Sequence, residues 1–457
     1  MQKMKNGKKV LSVCLSLAMA AGMLSTSAFA SWNVYGGSNN HNAVVTEAPT
    51  TPDKSGLDSY IQLHCTGSGW DGVDNVPVLQ TVNGTTYAYV LYDGYGASGA
   101  LVAKIRCAEN GGSSIVWTTD PYGTEGTSLN AKSGFQLSTP YLDDNGTPND
   151  ASDDTLYVGT ISQYDDYEGG EWLTGTGSKV MALTGLDQNK PTVTNVLTGI
   201  NGQINTPIPP DGPYLYFGTW PGGSRAGTYY QVKLSDYSVK TFTPDSYGFY
   251  WAGAVSDGTN VYFGSDNGLL YWRSIADFDT TGGVLDLTDV ASDAGNVRST
   301  VMLDDGYLYF TTQGGYLWCC SYDDGLTVEW HKKLGATSTS TPTKVGDRIY
   351  VGYYSGFNAG GVQCVSADGS SVKTVVEGDG FPVQSSIVVM GDGTGTDYLY
   401  FNTNAQKGVG YCYSYDGTTG SQVWGTTGDT YALGGMAIDN GYAVFGNDYN
   451  HLYVVHD

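Results

Sequence analysis

Basic residues are scarce in this chain: 21 Lys and Arg stand against 45 Asp and Glu, for a formal net charge of −24. That balance excludes a nucleic-acid or anionic-membrane surface, because both partners carry the same sign. Beyond the first thirty residues no apolar run is long enough to span a bilayer. Histidine is also rare. His41, His64, His331, His451 and His456 are scattered, without H-E-x-x-H or another paired spacing that would suit zinc. There is no G-x-S-x-G elbow and no C-x-x-C-H haem motif. Arg106, Arg225, Arg273, Arg298 and Arg348 fall at unlike repeat positions, so no arginine cluster is set up for a substrate carboxylate. No stretch of ten or more residues has helical periodicity.

The first thirty residues read as an export signal. Lys3, Lys5, Lys8 and Lys9 form a positive start, residues 10–24 are apolar, and Ala28-Phe29-Ala30 is a small-residue cleavage site. The expected mature chain starts at Ser31, with four lysines fewer and a charge correspondingly more negative. It is expected to be secreted or held at the cell surface, as a monomer. The acidic stretch 143–154 (DDNGTPNDASDD) offers hard oxygen ligands and is the candidate for structural Ca²⁺, although its spacing is not that of an EF-hand.

What is abundant is glycine, at 65 residues, and tyrosine, at 36, which suits sheets joined by tight turns. After a lead-in over 31–54 without any repeat, one unit recurs through 55–457. Its marker is a second strand of the form x-Tyr-hydrophobic-small. The marker position is Tyr89, Tyr157, Tyr216, Tyr262, Tyr309, Tyr350, Tyr400 and finally Val444. Asp257-Gly258, Asp305-Gly306 and Asn440-Gly441 sit before that strand as hairpin signals. Four short strands per unit with such spacing predict an all-β, eight-bladed β-propeller of four-stranded antiparallel blades; seven blades is the alternative count. The last unit has room for only three strands, and 59–65 (SYIQLHC) can supply the missing outer one, closing the ring and hiding the sheet edges. Cys319, Cys364 and Cys412 fall on one slot of the third strand, where an earlier unit has Ala182. That makes it a small buried slot, so free thiols are expected there rather than disulfides.

The unit over 382–424 ends Y-D-G-T-T-G-S-Q-V-W. Asp416, Thr419, Gly420 and Trp424 thereby resemble the pyrroloquinoline-quinone-type repeat of quinoprotein-like propellers, A-x-D-x-x-T-G-x-x-x-W. Trp117 and Trp330 keep the terminal tryptophan, and the opening SWNVYGG is similar to the start of such chains. The resemblance implies that these tryptophans dock one blade on the next. It also implies, for the enzymes of the family, a quinone near the axis with Ca²⁺ held by carboxylate and amide groups. Some of those enzymes carry a vicinal disulfide, which Cys319-Cys320 brings to mind, but here the pair falls in a third strand, away from the axis. No cofactor is therefore expected, and pyrroloquinoline quinone is the alternative.

Candidate binding residues come from the long loops that a propeller gathers on one face. Tyr95, Tyr164, Tyr167, Trp172 and Trp220 lie between second and third strands; Trp70, Tyr250 and Trp251 lie between blades. Tyrosine and tryptophan there provide flat apolar area with a polar tip, suited to a glycan or a surface protein. The expected function is that of an exported, non-catalytic binding or scaffold protein, with a quinone-dependent oxidoreductase as the alternative.

Overall fold

Alternating apolar residues, bounded by turns that only Gly, Asn and Asp adopt easily, give short strands with one face turned to each neighbouring blade. The computed structural model describes residues 31–63, 72–94, 99–120, 126–131, 136–161, 164–168, 171–174, 177–323 and 325–457. The export signal, Trp70 and Tyr95 lie outside them. Eight antiparallel sheets follow one another in chain order. Blade 1 runs Val78–Val82, Thr85–Gly94, Gly99–Arg106 and Ser114–Thr118, from the innermost strand outward. The innermost strands of blades 2 to 8 are Tyr141–Asp143, Pro210–Asp211, Val255–Ser256, Met302–Asp304, Thr343–Val345, Val388–Met390 and Ala437–Asp439. Blade 3 gains the short strand Gln203–Ile204 beside its second strand.

Ring closure is as expected. Ile61 pairs with Leu452 and Gln62 with His451, so a strand from the start of the ring completes blade 8. The hairpin signals fare unequally. Asp305 (φ +48°) with Gly306 (+83°) and Asn440 (+49°) with Gly441 (+75°) form tight left-handed turns, as does the unanticipated Asn83-Gly84 (+50°, +77°). Asp257 does not adopt positive φ. Its carboxylate instead caps a longer loop, accepting from the Thr259 and Asn260 amides.

The marker positions align in space as in sequence. Tyr157 pairs with Ala182, Tyr309 with Cys319, Tyr350 with Cys364 and Tyr400 with Cys412. Cys107, Cys319, Cys320, Cys364 and Cys412 are free and buried; Cys65 lies outside the described residues. Blade docking also follows the tryptophans. Trp117 Nε1 donates to the Leu186 carbonyl in blade 2, 3.3 Å away. Trp330 packs on Gly369 of blade 6 so closely that a Cβ there would stand 2.5 Å from the indole.

The lead-in does more than precede the ring. Its carbonyls accept from the amides of innermost strands: Trp32 from Leu79, Asn33 from Leu142, Asn40 from Leu303 and Ala43 from Val389, at 2.7–2.9 Å. The Asn42 side chain bonds both backbone groups of Lys344 at 2.9 Å. Val44–Val45 then adds a parallel strand to blade 7. Residues 32–45 thus cross the axis and bond to blades 1, 2, 5, 6 and 7, filling the channel.

Candidate functional site

Each blade sends a few residues toward the axis just before its innermost strand. Together they line a half-open hollow of about 60 Å³. Asn75, Leu137, Asn205, Trp251, Thr300, Thr339, Gln384 and Gly434 contribute one position from each of the eight connections. Below them, Tyr35 of the axial segment forms the floor, its hydroxyl 3.0 Å from Thr341 Oγ1. The hollow opens on the face that carries the inter-blade connections.

Trp251 connects this hollow to the loop surface. It lines the cavity and also stands against Tyr250, ring centroids 4.9 Å apart, and Tyr250 meets Trp220 edge-on at 5.2 Å. All three rings are half-buried. Tyr250 and Trp251 lie on the connection between blades 3 and 4, whereas Trp220 ends the strand Tyr214–Trp220 rather than lying in the loop expected for it. Trp251 and Tyr247 sit at φ +58° and +63°, a left-handed conformation that costs a non-glycine residue on the order of 1 kcal/mol. Local bonds compensate: Trp251's carbonyl accepts from Gly253 N at 2.8 Å and from Thr300 Oγ1 at 3.2 Å. Beneath the rings lies an ion pair. Arg298 donates through Nε and Nη2 to both oxygens of Asp266, and Trp220 Nε1 donates to Asp266 Oδ2 at 3.0 Å. The Arg298 guanidinium also stacks 4.4 Å from the Tyr250 ring. Burial pulls Arg298 downward, but the hydrogen bonds and charge of Asp266 outweigh it and raise its pKa.

Of the sequence candidates, Trp220, Tyr250 and Trp251 are therefore brought together. Tyr164, Tyr167 and Trp172 lie not on an irregular loop but on an extra hairpin, Tyr164–Glu168 with Glu171–Thr174, in which Trp172 pairs with Tyr167 and Tyr164 with Thr174. Trp70 and Tyr95 lie outside the described residues. Sequence reading missed Tyr35, Asn75, Asn205, Asp266 and Arg298. For Asn75 and Asn205 a signal existed: both stand a few residues before an innermost strand, the repeat slot that lines the axis.

The acidic stretch 143–154 is engaged with itself. Asp143, Asp144 and Asp150 accept from the amides of Asn145, Gly146 and Ser152, and Thr147 donates to Asp153. Among the described residues no group of three or more His, Cys, Asp or Glu is placed to hold a metal. No described helix is long and apolar enough to cross a membrane.

No protein-family profile and no curated protein matches the chain. Solved structures do. BamB from Moraxella catarrhalis is 13% identical with a TM-score of 0.51, over 87% of this chain and 98% of that one. The quinohemoprotein alcohol dehydrogenase of Comamonas testosteroni is 10% identical with a TM-score of 0.59, covering 93% and 80%. A europium-containing methanol dehydrogenase is 12% identical with a TM-score of 0.55, covering 91% and 89%. At such identities the likeness is one of fold: the chain is an eight-bladed β-propeller, similar in structure both to BamB and to quinoprotein dehydrogenases.

Proposed function

We propose that this protein is an exported binding protein that holds a glycan on the loop face of its propeller, without catalysing a reaction. The observation carrying this reading is the Trp220–Tyr250–Trp251 ledge. Trp251 is held at a left-handed φ and lines the axial hollow, and the Arg298–Asp266 pair braces Tyr250 and Trp220. Flat rings fixed in advance lose little conformational entropy on binding, which favours recognition. Function also tends to sit on loops borne by a rigid scaffold.

The rival reading is a quinone-dependent oxidoreductase, supported by the fold likeness to the two dehydrogenases. A quinone with calcium calls for several carboxylate and amide oxygens together. The described lining supplies the amides Asn75, Asn205 and Gln384 but a single carboxylate, Asp74, so it meets that donor set only in part. Cys319 and Cys320 lie in the third strand of blade 5 and do not line the hollow. The test compares residues 31–457 with Trp220→Ala and Trp251→Ala on a glycan array, alongside dialysis against pyrroloquinoline quinone with Ca²⁺. Loss of glycan binding at unchanged melting temperature supports the proposal. Calcium-dependent quinone uptake, or binding indifferent to both substitutions, refutes it.

A further inference from the structure

Among the described residues the exposed aromatic side chains are Tyr60, Tyr237, Tyr307, Phe357 and Tyr449, between 36% and 47% accessible. Tyr237 and Tyr307 sit apart, beside hairpin turns on the face opposite the ledge. The other three gather on the loop face at blades 6 to 8. Phe357 lies between the second and third strands of blade 6, and its ring meets Tyr431 of the blade 7–8 connection edge-on, centroids 5.5 Å apart. The Tyr431 carbonyl accepts from the Asp448 amide at 3.0 Å, in the turn that carries Tyr449. Tyr449 stands edge-on to His451 at 6.0 Å, and Tyr60 stacks on the same imidazole at 3.6 Å. Between them Asp429, its side chain 34% exposed, stands 2.8 Å from His451 Nδ1.

The backbone beneath is fixed. Asn447 Oδ1 accepts from the Tyr449 and His451 amides at 3.0 and 3.1 Å, and its Nδ2 donates to Asp429 at 2.8 Å. The Thr427 carbonyl accepts from the Tyr453 hydroxyl at 2.9 Å. Clustered apolar area left in water at preset positions marks a contact surface. Flat rings edged by hydroxyls and a carboxylate match the apolar faces and hydroxyl edges of sugars. The net charge of −24 repels anionic chains.

The blade 3–4 and blade 7–8 connections are half a turn apart on an eight-bladed ring, so this cluster stands across the axis from the Trp220–Tyr250–Trp251 ledge. With strands about 4.8 Å apart and the axial opening between, the two surfaces are on the order of 20 Å from each other. A trisaccharide does not span that; a long chain lying over the face does. Resting on the binding reading above, we propose that Tyr60, Phe357, Tyr431 and Tyr449 form a second glycan contact, and that the ligand is a long neutral polysaccharide held on both sides of the loop face at once.

Titration calorimetry of residues 31–457 tests this with hydroxyethyl cellulose, soluble amylose and glycol chitin against their trisaccharides, concentrations counted per sugar residue. One polymer should bind on the order of a hundredfold more tightly than its trisaccharide, because the second contact becomes intramolecular. Tyr60→Ala with Tyr449→Ala should remove most of that gain, as should Trp220→Ala with Trp251→Ala. Tyr307→Ala, a comparably exposed tyrosine on the other face, should change nothing. If the Tyr60 and Tyr449 pair lowers the melting temperature, Phe357→Ala decides in its place. A polymer bound no more tightly than its trisaccharide overturns the proposal. Sensitivity to the tryptophan pair with indifference to the Tyr60, Tyr449 and Phe357 variants overturns the second contact and leaves the ledge reading intact. Indifference to the tryptophan pair, or no binding of any polymer, overturns both.

Discussion

Tyr400 and Trp424 face each other across Cys412, ring centroids 6.0 Å apart, each being the direct cross-strand partner of the cysteine. The same three-residue rung recurs as Tyr309–Cys319–Trp330 and Tyr89–Lys104–Trp117, with ring separations of 6.2 and 6.1 Å. The middle position must be narrow or flexible because a ring stands on either side. In blade 1 the lysine fits by extending over Tyr87 and Tyr89 to the Leu186 carbonyl, which Trp117 also reaches.

Trp424 is 4% exposed and donates through Nε1 to the Pro49 carbonyl at 2.8 Å, tying blade 7 to the lead-in. Trp424→Ala should therefore cost about 3–5 kcal/mol of unfolding free energy, the range for removing a buried aromatic. Denaturant titration measures it. A loss below about 1 kcal/mol would show that the rung does not hold the blades together.

The buried thiols should be inert in the native protein. Burial pushes Cys107, Cys319 and Cys412 up to about 12 and Cys364 to about 11, so the reactive thiolate is scarce at neutral pH. Mass spectrometry after treatment with N-ethylmaleimide at pH 7.5 should find these four unmodified in native protein and fully modified in guanidinium. Native modification of any of them contradicts the burial described.

The axial segment predicts a pH dependence. His41 is fully buried at φ +60°, its Nδ1 3.0 Å from the Val301 carbonyl. Burial lowers its pKa from 6.5 to about 4, against the opposing pull of that carbonyl. The unfolded chain then binds the proton more readily than the folded one. The stabilising contribution is complete above pH 6.5 and falls as pH drops toward 4, by about 3 kcal/mol. Asn tolerates the same backbone conformation and does not titrate. The stability difference between wild type and His41→Asn should shrink or reverse between pH 7 and 4. A difference constant across that window would mean that His41 does not stay neutral in the folded state.

These relationships were unequally visible in the sequence. The Tyr and Cys positions of the rung recur at matching places in every unit that has them, so strand order, blade count and ring closure could be read from spacing. The role of residues 32–45 could not. Each few residues there bond to a different blade, so no alternation develops, and Tyr35 and His41 look like ordinary loop residues. The hairpin holding Tyr167 and Trp172 reads in sequence as a long loop because its strands are short and set apart from the four-strand repeat. Trp220, Tyr250 and Trp251 were found as aromatics on long connections. What braces them, Asp266 and Arg298, comes from different connections and forms no motif; only the folded ring brings the two together.

That brace yields the last prediction. Asp266 is 4% exposed, and its carboxylate is held by Arg298 and Trp220. Removing the cation alone would leave a buried charge uncompensated, so Arg298→Met should destabilise the protein by about 3–5 kcal/mol. Replacing both partners, as Arg298→Met with Asp266→Asn, removes the charge and should recover most of that loss. The double variant should not recover ligand binding, because Tyr250 loses the guanidinium stacked on it and Trp220 loses a charged acceptor. Melting curves and calorimetry on the single and double variants separate the two effects. Full recovery of binding together with stability would show that the pair supports the fold alone and does not position the ledge.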